Sequence, residues 1–356
     1  MTPRDRPAAT ARVRKRYPWL YHHWGVRGND GKGSPLVCLS CPSSTPPQGI
    51  SPTWLSTAPP GLQDPPRQGG LGGLIRRYPL TGYFVLANLL SWVAWLPYAL
   101  SNQGMGVWDF DFPALLGTTQ LAGVLPGAYL GPIFSAYLVT RLTEGKEGVR
   151  RWIGRMTKWQ VHWGWYAGAA LGVPAVLIVT SLAVSDGAAQ VPPMVLLVAY
   201  IPGLLLQMIT TGLAEEPGWR DFALARMQRR YGPLRATAIL GPLWGVWHLP
   251  LYLTEWGGYP DVTWQRIGIF VVFASAFSFV ITWVFNRTGQ SLPLVIVLHV
   301  SVNNFMSIIY SDMFPSIADP DSAGMVTLLA GLGAALVVLI ATRGKLGYRP
   351  EAGRSH

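Results

Sequence analysis

The chain has 356 residues, half of them hydrophobic and only 13% charged, with 16 Trp. Soluble chains carry about a quarter charged residues, so this deficit and a mean hydropathy of +0.27 exclude an ordinary soluble domain or a disordered chain and indicate an integral membrane protein. The net charge of +11 fits cytoplasmic loops facing anionic lipid headgroups, and no nucleic-acid partner is expected.

Residues 1–75 are basic and dense in Pro, Gly and Ser without apolar periodicity, which reads as a disordered cytoplasmic tail. The stretch has neither the apolar core and cleavage site of a secretory signal nor a lipidation motif. Its Cys38 and Cys41 are spaced C-x-x-C but do not sit at a strand-to-helix turn, so redox chemistry is not expected. With His22 and His23 they match no strong zinc spacing.

Residues 76–343 form the membrane domain, followed by a basic tail over 344–356. Eight apolar stretches recur, at 80–100, 118–140, 163–184, 193–213, 236–253, 264–285, 292–309 and 324–341. Each is long enough at ~1.5 Å per residue to cross a hydrocarbon core of ~30 Å. The fold class that follows is all-α and polytopic, with about eight transmembrane helices. The intervening segments alternate in charge. The N-terminal tail, 141–162, 214–235, 286–291 and the C-terminal tail hold 27 of the 28 Lys and Arg residues. The other set holds Asp109, Asp111, Asp186, Glu255, Asp261, Asp312, Asp319 and Asp321, with Arg266 its only basic residue. The positive-inside rule then puts both termini in the cytoplasm, in what reads as a bacterial plasma membrane.

Before the third span, Arg150, Arg151, Arg155 and Lys158 interleave with Val149, Trp152, Ile153, Met156 and Trp159 at near-helical spacing. This is read as a basic amphipathic helix on the cytoplasmic leaflet, with a helix packed on neighbouring loops as the plainer alternative. His162, among Trp159, Trp163 and Trp165, reads as an interfacial anchor.

Ionisable groups inside spans are costly, so each calls for a partner or a function. Three clusters stand out within 211–304: Glu215, Glu216 and Arg220; Trp244 and His248; His299 and Asn303. Counted from the basic side, His248 lies ~18 Å deep and His299 ~10 Å deep, so the three can converge. Glu216 and Arg220 are i, i+4 and can pair, which leaves Glu215 to face elsewhere, although Pro217 can reset the helical phase. His299 and Asn303 share a face, and Trp244 is placed to stack on His248. A carboxylate, two imidazoles and an amide suit water activation and oxyanion binding. Glu215, His248 and His299 could equally hold zinc or another divalent metal with an open fourth position. A structural ion pair, satisfied interhelical histidines, a non-catalytic scaffold or a proton-coupled transporter are the competing readings.

In order and spacing these residues resemble the CPBP family of intramembrane metalloproteases, which includes the type II CAAX prenyl endopeptidases and bacterial relatives linked to bacteriocin self-immunity. Glu215, Glu216 and Arg220 match E-E-x-x-x-R. Trp244 to His248 matches F-x-x-x-H with Trp for Phe, and His299 with Asn303 matches H-x-x-x-N. The resemblance implies a conical intramembrane cavity open to the cytoplasm and laterally toward lipid. It also implies catalysis by Glu215 as base with His248, oxyanion donors in His299 and Asn303, and support from Glu216, Arg220 and Trp244. The implied activity is endopeptidase cleavage near the cytoplasmic face, in a lipidated (CAAX-like) or leader peptide. The implied partners are membrane lipid and a peptide or lipidated protein.

Overall fold

A computed structural model describes residues 70–350. The tail reading over 1–69, with His22, His23, Cys38 and Cys41, lies outside the described residues, whereas Leu71–Arg77 at its expected end is helical (α1). There follow α2 (Pro79–Leu100), α3 (Gln120–Met156), α4 (Trp163–Val184), α5 (Met194–Tyr231), α6 (Pro233–Trp247), α7 (Trp264–Arg287), α8 (Leu292–Met313) and α9 (Pro320–Thr342). Among the described residues there is no strand, and seven helices are long and apolar enough to cross a membrane. The protein is an all-helical integral membrane protein.

The one expected span outside those seven is the fifth. Its α-helix stops after 15 residues at Trp247 and continues as a 3₁₀ segment over Leu249–Leu253. Pro250 explains the break, since it offers no N–H and disfavours the helical conformation at the residue before it. Conversely, α3 and α5 run well past the expected ends of spans two and four. The basic amphipathic segment is the end of α3, beyond a kink at Gly145 (φ 68°). Trp152 turns inward and is buried, while Arg150 and Ile153 remain exposed.

Helix α8 is the axis of the molecule. Twelve of the thirteen residues Leu292–Asn304 are buried, and the exception is Asn303. By contrast, the stretch Met194–Gln207 of α5 buries none of its residues, as expected for an apolar surface against lipid. Helix α2 ties the other side together. Trp95 Nε1 donates to the carbonyl of Val124 at 2.7 Å, Ser91 Oγ to that of Gly127 at 2.7 Å, and Trp247 Nε1 to Ser91 Oγ at 2.8 Å.

The connecting segments meet within their own charge class. On the basic side Arg155 pairs with Asp221 at 2.5 Å, Ser291 Oγ donates to the carbonyl of Lys158, and Asn286 Nδ2 to that of Leu346. On the acidic side the N–H of Glu255 donates to the carbonyl of Gln103, that of Gln190 to Met313, and Arg266 pairs with Asp321. The alternation of charge along the sequence is therefore a separation into two faces. His162 lies between α3 and α4, where its Nδ1 accepts from the N–H of Gly164 and caps α4.

Candidate active site

Glu215, Trp244, His248, His299 and Asn303, drawn from all three sequence clusters, line one cavity of about 810 Å³, and Glu216 and Arg220 lie behind that lining. Helix α5 delivers the carboxylates. Its course is wound as π-helix over Met208–Gly212 and again over Pro217–Leu224, with the short α-helical stretch Leu213–Glu216 between. Pro217 thus changes the winding without ending the helix, and such π turns recur at functional sites. Gly212 permits the approach to α8, since a Cβ there would lie 2.6 Å from the Ile296 side chain. Glu215 and Glu216 are both buried.

The two carboxylates part as expected. Glu216 faces the interior, its Oε2 3.3 Å from Arg220 Nε and its Oε1 2.7 Å from His299 Nδ1, with all three side chains essentially buried. Glu215 turns to the cavity, where its Oε2 accepts from Trp244 Nε1 at 2.7 Å. Its other oxygen has no hydrogen-bond partner among the described residues.

Trp244 is the hub of the site. Its ring also carries the Arg220 guanidinium on its face at 4.4 Å, and it meets His299 edge-on at 5.2 Å. The stacking expected on His248 is instead an edge-to-face contact at 5.9 Å. The partner stacked on His248 is Trp256, at 5.6 Å and 13° between ring planes, with Phe270 closing the edge at 4.9 Å.

The broken helix end fixes His248. Its backbone N–H bonds to the Gly245 carbonyl, a tightened turn, and its Nδ1 donates to the Trp244 carbonyl at 2.9 Å. A carbonyl only accepts, so Nδ1 carries the proton and Nε2 presents a lone pair. Asn303, the one residue of its stretch that is not buried, lines the cavity one turn beyond His299.

The rest of the lining was not marked by the motifs. Thr118, Gln120, Gln207, Thr210, Thr211 and Ser307 supply neutral hydrogen-bonding groups. Trp256 sits on a short 3₁₀ turn, where its N–H donates to the Thr254 side chain. The neighbouring Glu255 accepts from Tyr98 and from Thr119, which anchors the turn to α2 and the start of α3. The sequence signal available for Trp256 was weak: one more aromatic in an acidic loop.

The expected metal ligands were Glu215, His248 and His299. Among the described residues no group of three or more His, Cys, Asp or Glu side chains is disposed to hold a metal. Glu215 and His299 are turned to Trp244 and Glu216 instead. The arrangement does not fit a metal site, and the chemistry below routes no step through one.

The family described as type II CAAX prenyl endopeptidase Rce1-like matches residues 197–305, which contain all three motifs. The chain is also 27% identical over 108 residues to CAAX prenyl protease 2 of Methanococcus maripaludis, an overlap of 29% of this chain and 39% of the relative. It thus spans about two fifths of the length of that relative. The similarity thus falls on the part of the chain where the three motifs stand on three helices around one cavity.

Proposed function

We propose that the protein is an intramembrane endopeptidase that hydrolyses a peptide bond by direct attack of water. The observation that carries the reading is the setting of Glu215: a buried carboxylate with one oxygen held by Trp244 and the other unbound at the cavity wall, shared with His248 and Asn303. Glu215 takes a proton from water as the water oxygen bonds to the substrate carbonyl carbon. His248 orients that water through its bare Nε2. The carbonyl oxygen becomes an oxyanion, met by the Asn303 amide and by Nε2 of His299, whose ring Glu216 holds from the other side. The proton on Glu215 then passes to the leaving nitrogen as the C–N bond breaks, so that no covalent enzyme intermediate forms. The protease named in the similar archaeal protein favours a lipidated C-terminal peptide as substrate, and the apolar lining residues Leu121, Val124 and Leu125 would receive an acyl or prenyl chain.

The test is cleavage of a fluorogenic lipidated peptide library by detergent-purified protein, wild type beside Glu215→Gln. The variant is expected to insert and fold normally and to lose cleavage by about 10²–10⁴-fold. Retained cleavage in that variant would overturn the assignment of the base.

A further inference from the structure

A second cavity, of about 450 Å³, lies within a ring of helices in which α4, α8, α7 and α9 each pack on the next. Helix α8 offers His299 and Asn303 to the catalytic cavity and, ~100° round its axis, Leu298 and Val302 to this one. Phe273 and Phe277 of α7, stacked at 5.6 Å, line both cavities and so form the wall between them.

The lining of the second cavity is almost wholly hydrocarbon and holds no charged side chain. Its one hydroxyl, on Thr327, is spent on the Ala323 and Gly324 carbonyls of its own helix. A peptide backbone would find almost no hydrogen-bond partners there, whereas a hydrocarbon chain needs none. The space is written into α4, where Gly164, Gly168 and Gly172 share one face. A Cβ at Gly168 or Gly172 would meet no neighbouring atom within 4 Å.

The cavity begins at the basic face, where Trp165 and Trp283 meet at 5.3 Å near the ends of α4 and α7. Its lining residue Leu177 lies ~18 Å further along α4, about the depth of one leaflet of a ~30 Å core. Two cations stand at that basic end. Lys158 bridges the approach to α4 and the loop after α7, since its Nζ donates to the Gly289 carbonyl and its own carbonyl accepts from Ser291 Oγ. Arg287, exposed one turn beyond Trp283, is in no ion pair among the described residues. The segments that meet there, 157–165, 286–291 and 343–350, hold no acidic residue.

We propose that this cavity is a binding site for an anionic phospholipid of the leaflet on the basic face, with one acyl chain between α4 and α7 and the phosphate at Lys158 and Arg287. Apolar depth selects the chain, the two cations select the headgroup, and the tryptophans sit at the level where aromatic side chains favour the interface. The bound chain backs the Phe273–Phe277 wall and so supports the catalytic cavity from behind. The site itself does not rest on the protease reading.

The full chain in phosphatidylcholine nanodiscs is photolabelled with phosphatidylglycerol or phosphatidylcholine carrying a mid-chain diazirine, and the adducts are mapped by mass spectrometry. Adducts are expected within 164–177 and 327–334, favouring phosphatidylglycerol by roughly fivefold or more, as two cations near the surface would give. Gly172→Leu, which fills the cavity, should remove them. Lys158→Gln with Arg287→Gln, both at the surface, should leave the adducts and abolish the preference between the two lipids. Equal labelling by both lipids in the wild type marks ordinary surrounding lipid and overturns the proposal. So does labelling unchanged in folded Gly172→Leu, or a diazirine-bearing prenyl peptide that labels the same segments in preference to either lipid. If Gly172→Leu fails to fold, the headgroup preference and its loss in the double variant decide the matter alone.

Discussion

The stretch Pro217–Leu224 and the cavity wall over Leu206–Glu215 are consecutive parts of one helix, yet one is packed shut and the other lines empty space. The first holds Arg220 in a buried ion pair and buried Asp221 in a pair with the partly exposed Arg155, and the second offers hydroxyls and amides that are partly open. The difference teaches where stability and chemistry reside. Side chains below Glu216 hold the fold, and those above it are free to meet a substrate.

The comparison breaks most sharply at Arg220. Arg220→Ala leaves Glu216 buried without its cation, which costs roughly 3–5 kcal/mol. The expected result is loss of folded protein, read as the yield of monodisperse protein in detergent and its thermal midpoint. A variant of unchanged stability would show that the packing of Pro217–Leu224 does not depend on this pair. Next in size, Glu215→Gln should reduce kcat by about 10²–10⁴-fold with the thermal midpoint unmoved. Asn303→Ala should lower kcat by about 10²–10³-fold, again without destabilisation, as expected for loss of one oxyanion donor. A fall in stability with activity intact would reassign Asn303 to packing. Trp256→Ala removes the ring stacked on His248, worth about 0.5–1.5 kcal/mol, and should slow cleavage by about two- to tenfold. The smallest expected effect is that of a chelator. Cleavage by wild type should persist in excess chelator, and its loss, restored by an added divalent metal, would contradict the metal-free chemistry.

Much of this molecule was legible in the sequence because lipid imposes simple rules. Apolar runs had to be helices, and charge had to sort by side, so seven of the eight expected spans and the two faces followed from hydropathy and the order of charges along the chain. Glu215, Glu216, Arg220, His248, His299 and Asn303 stood out because polar groups in such runs are expensive, and the structure brings all of them to one cavity or its supporting shell. Three features were not legible. The stack of Trp256 on His248 depends on a loop that folds back across 8 positions of chain with no periodicity to betray it. The short α6 and the extended α3 and α5 reflect how Pro250, Gly145 and Pro217 are resolved by tertiary packing, for which a proline or glycine alone gives no sign. Which stretch of α5 is packed and which lines the cavity is the third, since hydropathy treats both alike.

The π winding of α5 has a further consequence. A π turn accommodates one residue more than the α turn it replaces, so deleting a single residue from Met208–Gly212 lets the helix relax to the commoner winding instead of breaking it. Because the π turn is what absorbs the surplus residue, everything after such a deletion keeps its facing, whereas the same deletion in an α-helical stretch would turn it by ~100°. Glu215 would stay at the cavity wall after a deletion within Met208–Gly212 and would leave it after one within Met194–Gln207. In descendants of this sequence, two deletions a few residues apart in the same span would therefore differ in their effect on function, although both leave every motif residue in the sequence.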